Sequence, residues 1–198
     1  MPTTQALILA SSSPYRRDML KRLALPFTCM STNVDETPHS AESPLALAMR
    51  LAESKARAAA ALHPQAVVIG ADQVAALGAQ CLGKPGGFDQ AVAQLRLLSG
   101  QTATFHSAIS VISANGVHTT SVPTECTFRE LTDDEIIYYL QHDKPFDTAG
   151  SAKAESLGIA LMQSMRSDDP TAIIGLPLIA LSQLLREAGM NPLLGPSV

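Results

Sequence analysis

Tryptophan is absent from this chain, and aromatic residues of all kinds make up only 4% of it. Its core must therefore be filled by aliphatic side chains and alanine. Cysteine is scarce as well: Cys29, Cys81 and Cys126 are odd in number and share no close spacing. They read as reduced thiols, not as a disulfide scaffold or a zinc site, and point to a cytoplasmic protein. Lys and Arg number 14 against 18 Asp and Glu, for a formal net charge of −4, and no dense basic run occurs. That balance argues against a surface that coats nucleic acid. No apolar run approaches the roughly 20 residues of a membrane span, and no basic-then-apolar leader opens the chain. The G-x-x-x-x-G-K-[ST] pattern is missing, which disfavours a P-loop ATPase. Repeats, low-complexity tracts and linkers are missing too. Residues 1–198, 46% of them hydrophobic, thus read as one two-lobed domain able to bury a core.

What is present is concentrated in Leu7-Ile8-Leu9-Ala10-Ser11-Ser12-Ser13-Pro14-Tyr15-Arg16-Arg17. The four apolar residues predict a short buried strand, and the serines an exit turn. Ser13 is a good N-cap and Pro14 a good first helical residue. A helix beginning there, with Leu20, Leu23 and Ala24 inward, would aim free backbone N–H groups and its positive dipole end at one spot. Arg16 and Arg17 sharpen this reading. Cations in a first turn oppose the dipole by a few tenths to about 1 kcal/mol, a placement that makes sense if both reach an anion. Hydroxyls, amides and guanidiniums together describe a polyphosphate cradle. A capped surface helix with two solvated arginines is the alternative.

Further along, Pro26–Ser31 predicts a second short strand, and residues 32–38 a polar loop carrying Asp35 and Glu36. Ser43-Pro44 opens an alanine-rich helix to about Leu62. At 100° per residue, Lys55 falls among the inward alanines and leucines, where a lysine is costly unless it finds a partner or snorkels out. A lysine directed into a charged cleft is the preferred reading. Ala66–Ala71 reads as a buried strand with Asp72 at its C-terminal end, where open α/β sheets place catalytic groups. Gln73 follows, then a hairpin around Gly78, and then Lys84 on a stiff Gly-Pro-Gly-Gly loop. A helix over 88–98 has Phe88, Ala91, Leu95 and Leu98 as its core stripe. Residues 101–128 alternate as β structure about an Asn115-Gly116 turn, and His106 and His118 in them read as structural or surface groups. Thr132 and Glu135 form a capping box. A tight loop at 147–151 and Glu155 precede a short strand. The last helix, about 175–188, is expected to pack Leu176, Ile179, Ala180, Leu184 and Ala188 inward.

Five of these segments, SSSPYRR, VDET at 34–37, IGADQV at 69–74, GKP at 83–85 and AGSAKAESLGI at 149–159, stand in an order that resembles the Maf family of nucleotide pyrophosphatases. The resemblance spans residues 7 to about 190. It implies an α/β fold, a mixed twisted sheet flanked by helices with two lobes around a central cleft, and a homodimer. It also implies that Asp72 is the catalytic acid–base residue, that Glu36 and Asp72 hold a divalent cation (Mg2+ or Mn2+), and that Lys55 contacts the active-site acid or phosphate. With the residues' own reading, Ser11, Ser13, Arg16, Arg17, Lys55 and Lys84 form the phosphate set. Two carboxylates are too few to hold magnesium alone, so substrate oxygens and water would complete its shell.

These groups suit water attack on a nucleoside triphosphate. The resemblance implies attack at the α-phosphorus, giving monophosphate and pyrophosphate; spacing alone leaves γ-phosphate release open. Members of the family acting on dTTP and UTP carry arginine directly after Ser-Pro. Those acting on 7-methyl-GTP carry an aromatic there, usually tryptophan, with Gln and Glu at the positions of Gln73 and Glu155. Tyr15, Gln73 and Glu155 fit the second pattern, with tyrosine in place of tryptophan. The chemistry agrees, because a cationic 7-methylguanine is attracted to an aromatic face by about 0.5–2 kcal/mol, and a carboxylate accepts both guanine edge donors. The expectation is a house-cleaning pyrophosphatase on 7-methyl-GTP. The alternatives are dTTP, UTP or another noncanonical triphosphate as substrate, or a nucleotide-binding regulator of cell division.

Overall fold

The structure, a computed structural model, describes residues 5–194. Its strands are β1 (Leu7–Ala10), β2 (Thr28–Cys29), β3 (Val67–Leu77), β4 (Gln80–Leu82), β5 (Thr102–Ser113), β6 (Gly116–Phe128) and β7 (Met162–Ser167). Its α-helices are α1 (Pro14–Lys21), α2 (Pro44–Ala60), α3 (Phe88–Leu98), α4 (Asp133–Asp143) and α5 (Leu178–Glu187). The strands form one mixed seven-stranded sheet in the order β2-β1-β3-β5-β6-β7, with β4 also on β3. β1 runs parallel to β2 and β3, and the remaining pairs are antiparallel. Among the described residues, no helix is long and apolar enough to cross a membrane.

Strand parity distributes the core, because successive side chains leave opposite faces. Leu7, Leu9, Val67 and Ile69 pack with Met19 and Leu20 of α1 and Leu181 and Leu185 of α5. Ile8, Ala10 and Val68 pack against Ala56 and Ala59 of α2 on the other face. A third cluster joins Ala75, Phe105 and Phe128 to α3 and α4. On the α2 face of β3, a Cβ at Gly70 would overlap the Ala52 carbonyl and the Ala56 amide. Glycine there lets α2 lie against the strand, and that close approach is what brings Lys55 to the sheet.

The two N-caps read from the sequence are formed: Ser13 accepts from the Arg16 amide, and Ser43 from the Ala46 amide. The Thr132–Glu135 capping box is complete. Several other expectations are corrected. Asp72 does not end a strand, since β3 continues through it to Leu77. α1 stops at Lys21, and Ala24, with a φ of 54°, lies exposed in the following turn, so Met19, Leu20 and Leu25 are the buried residues. Phe88 is solvent-accessible at the start of α3, edge-on to Phe146. α5 begins after Pro177, so its buried stripe is Leu178, Leu181 and Leu185, and Ile179 is 61% exposed. The β5–β6 loop is Ala114-Asn115, with Ser113 paired to Gly116, which takes the positive φ of 116°.

Candidate active site

β3 explains where the site lies. One of its edges is paired with β5 from Val68 to Ala76. The other is covered by β1 over Val67–Gly70 and by β4 over Ala75–Leu77. Between them, residues 71–74 have no strand partner on that edge among the described residues. Asp72 and Gln73 sit in this notch, just past the C-terminal end of β1, where the serine turn begins. Asp72 is therefore mid-strand in sequence yet stands at a sheet opening.

Parity sends the two side chains to opposite faces. Asp72, on the α2 face, is 8% exposed. Its Oδ1 accepts from Lys55 Nζ at 2.6 Å. The same Nζ lies 2.7 Å from Glu36 Oε1. Lys55 is thus neither solvated nor unpaired: it gathers one carboxylate from β3 and one from the 32–38 loop. That bond to Lys55 holds the Glu36 carboxyl below its ordinary range. Arg50 secures the loop, donating to the Thr37 carbonyl at 3.0 Å and to both oxygens of Glu42.

A hollow of about 280 Å³ adjoins this cluster, walled by Ser11, Ser12, Ser13, Arg16, Glu36, Lys55 and Lys84, with Tyr15 and Asp147 at its side. Ser11 Oγ accepts from the Ser13 amide at 3.1 Å, so the serine bend is held by its own hydroxyl. Three cations and the start of a helix face this space, and that combination attracts a polyanion. Arg16 is fixed by a bond from Nε to the Gly175 carbonyl at 3.0 Å. Burial lowers the pKa of its guanidinium, with the attraction of Asp72 and Glu36 opposing that. Arg17 lines neither this hollow nor the next; it is exposed and lies 3.7 Å from Asp18. Of the two arginines, only Arg16 is brought to the cleft.

Gln73, on the other face, donates from Nε2 to Ser107 Oγ at 2.8 Å and to the carbonyls of Ala172 and Ile173 at 3.1 and 3.0 Å. Its amide nitrogen is spent on structure. The side chain still lines a second hollow of about 120 Å³, shared with Tyr15, Arg16, Lys84, Glu155 and Ile174. This hollow continues from the first through Ser13, Tyr15, Arg16, Lys84 and Asp147, which line both. Glu155 is exposed, and among the described residues its carboxylate has no hydrogen-bond or ion-pair partner.

Two groups escaped the sequence reading. Lys153 Nζ lies 5.7 Å from the Tyr15 ring centroid and 3.6 Å from Asp147 Oδ1, bracing the aromatic against the 147–151 loop. Nothing in its spacing separates Lys153 from a surface lysine. The 169–178 segment is the other. Buried Asp169 accepts from the Thr171 amide and hydroxyl and from the Ile179 amide. That clamp closes the loop whose carbonyls hold Gln73 and Arg16. The available signal was Asp-x-Thr, a turn former, shortly before a helix start.

No group of three or more His, Cys, Asp or Glu side chains able to hold a metal occurs among the described residues. What the site offers is two carboxylates meeting at Lys55. That is a hard-oxygen set suited to Mg2+ or Mn2+ once phosphate oxygens and water add to it, and unsuited to a thiolate- or imidazole-seeking ion.

Sheet, open edge and cation-lined cleft define an α/β protein that presents a serine turn and a lysine–carboxylate cluster at one sheet opening. The family model described as "Maf-like protein" matches residues 6–188, and the chain belongs to the Maf family. It is 59% identical over 189 residues to a protein of Bordetella pertussis, covering 96% of this chain and 95% of that one. It is 52% identical over 189 residues to one of Cupriavidus metallidurans, covering 94% and 95%. A third, from Thiobacillus denitrificans, is 49% identical over 197 residues, 98% of each chain. All three relatives are named 7-methyl-GTP pyrophosphatase.

Proposed function

We propose that this chain hydrolyses 7-methyl-GTP at the α-phosphate, releasing 7-methyl-GMP and pyrophosphate. The observation that carries the reading is the meeting of Asp72 and Glu36 at Lys55 beside a hollow walled by the serine turn, Arg16 and Lys84. In this reading the serine amides and hydroxyls, Arg16 and Lys84 bind the triphosphate. Asp72, released from Lys55 as that ammonium turns to a phosphate oxygen, accepts a proton from water. The water oxygen forms a bond to the α-phosphorus as the bond from that phosphorus to the bridging oxygen breaks, and pyrophosphate leaves. Glu36 and Asp72 would hold a divalent cation, Mg2+ or Mn2+, which when bound neutralises charge on the phosphate oxygens.

At the other end, Tyr15 supplies a face for the cationic base and Glu155 an unpaired acceptor for the guanine edge. Gln73 fixes the 172–175 segment beneath it. The names of the relatives support the 7-methyl-GTP assignment. Three free cysteines, two of them exposed, fit a reducing cytoplasm.

The test is a panel of 7-methyl-GTP, GTP, UTP, dTTP and other noncanonical triphosphates, with either metal and pyrophosphate detection. The highest kcat/KM is expected on 7-methyl-GTP. A preference for UTP or dTTP would replace the substrate. Triphosphate binding without turnover under either metal would favour a regulatory nucleotide-binding role. In Tyr15→Ala, kcat/KM on 7-methyl-GTP should fall more than on GTP, by up to about tenfold; equal losses argue against stacking.

A further inference from the structure

Ser107 is fully buried on β5 and lines neither hollow, so it touches no bound substrate. It stands directly opposite Gln73 in the β3–β5 register, on the same face of the sheet. Its hydroxyl donates to the Ala172 carbonyl at 2.6 Å and accepts from Gln73 Nε2 at 2.8 Å. The single hydroxyl hydrogen is thus committed to the carbonyl, and only a lone pair is left to face Gln73.

That arrangement decides which end of the Gln73 carboxamide points inward. Its nitrogen meets the Ser107 lone pair and the carbonyls of Ala172 and Ile173. Turned over, the amide would set its oxygen against those same acceptors with no hydrogen between them. Oε1 has no hydrogen-bond partner among the described residues. Nor is it one of the buried side-chain oxygens that lack one, which among those residues are Ser121 Oγ and Thr124 Oγ1. It is therefore open, on a side chain that lines the hollow shared with Tyr15 and Glu155. A carboxamide free to turn offers either a donor or an acceptor; this one offers an acceptor, as the Glu155 carboxylate does. The N1–H and 2-amino edge of guanine carries donors only.

We infer that Ser107 is a positioning residue for base selection: it holds the Gln73 carboxamide oxygen-outward, so that Gln73 and Glu155 favour a base edge with an amine beside its ring N–H. This rests on the base reading given under Proposed function. Ser107 acts through Gln73 alone, and that makes it separable from a merely structural serine.

The experiment measures kcat/KM for 7-methyl-GTP, for 7-methyl-ITP, which lacks the amine, and for UTP, with inorganic tripolyphosphate as a competitor that has no base. Ser107→Ala should lower kcat/KM on 7-methyl-GTP about 3- to 10-fold, the worth of one hydrogen bond, and narrow the preference over 7-methyl-ITP. The Ki of tripolyphosphate should stay within about twofold. That control matters because the 172–175 segment also holds Arg16 through the Gly175 carbonyl, so a collapsed segment would weaken phosphate binding too. Ser107→Thr keeps the hydroxyl and should restore most of the loss. Added to Gln73→Ala, Ser107→Ala should change nothing further. Should Ser107→Ala not fold, Ser107→Cys takes its place, its thiol a weak donor and acceptor, with the same pattern at smaller size. Additive losses in the double variant overturn the inference, as do equal losses on 7-methyl-GTP and 7-methyl-ITP or a raised Ki for tripolyphosphate. If the wild type prefers 7-methyl-GTP and the losses add, the role of Ser107 alone is lost. If it prefers UTP, the base reading fails and this inference with it.

Discussion

The two ends of the cleft are built by different means. At the phosphate end, the buried Lys55–Asp72 pair and Arg16 are carried by α2, β3 and the first turn of α1, and the exposed Glu36 and Lys84 join them from loops. At the base end, Tyr15 in the first turn of α1 and Gln73 on β3 share their hollow with Glu155, which sits in a turn, exposed and unpaired among the described residues. The contrast follows from the ligand each end is proposed to meet. A triphosphate offers the same oxygens whatever base it carries, so rigid cations can await it. Base recognition needs a few directional contacts, and the turn that carries Glu155 adds one at small cost to the fold.

Breaking the phosphate end should therefore damage stability and catalysis together. Lys55→Met leaves the Asp72 and Glu36 carboxylates facing each other without their shared cation. Removing one member of a buried pair costs about 3–5 kcal/mol, and the Lys55 and Asp72 side chains are 12% and 11% exposed. Denaturant unfolding should show a loss toward that range, discounted because Glu36 is 60% exposed, and turnover should fall below detection. A loss under about 1 kcal/mol would mean that Lys55 snorkels freely.

The neighbouring arginines sharpen the comparison. Arg16→Ala is expected to reduce kcat/KM about 10- to 100-fold, the worth of a charge-assisted contact. Arg17→Ala should stay within about threefold and shift stability by no more than about 0.5 kcal/mol. Equal losses for the two would place Arg17 at the triphosphate.

The smallest effect concerns pH. Arg50 and the His39 amide hold Glu42 down to about 2, from an ordinary value of 4.5. The folded value lies below the unfolded one, so this contribution is present above about pH 4.5 and is lost as pH falls toward 2. Stability of the wild type relative to Glu42→Gln should be greater at pH 6 and converge with it near pH 2. A difference independent of pH would refute the linkage.

How much of this was legible depended on whether local rules governed each residue. The serine turn, the caps at Ser13 and Ser43 and the Thr132 box are set by neighbours in sequence, and each formed as expected. Lys55 was legible because a cation on an inward stripe demands a partner, and the spacing placed it. Arg17 stands apart from Arg16 because adjacency in sequence does not imply adjacency in space: at 100° per residue it turns toward Asp18, away from the hollows that Arg16 lines. The resemblance singles out Asp72, but its setting is not legible in the sequence, because a strand open at mid-edge depends on where β1 stops and β4 starts. Lys153 and Asp169 act through contacts distant in sequence or through buried loop closure, and periodicity carries no trace of either. Ile179 was placed inward because the phase of α5 is set by Pro177, two residues after the start assumed for it.

Asp72→Asn tests the central claim most directly, because it keeps the side chain's shape and removes its charge and basicity. Turnover of 7-methyl-GTP should fall at least about 100-fold, with pyrophosphate and 7-methyl-GMP the only wild-type products and triphosphate binding kept by Arg16, Lys84 and the serine turn. A variant that still hydrolyses at near wild-type rate, or one that loses binding along with hydrolysis, would contradict the account.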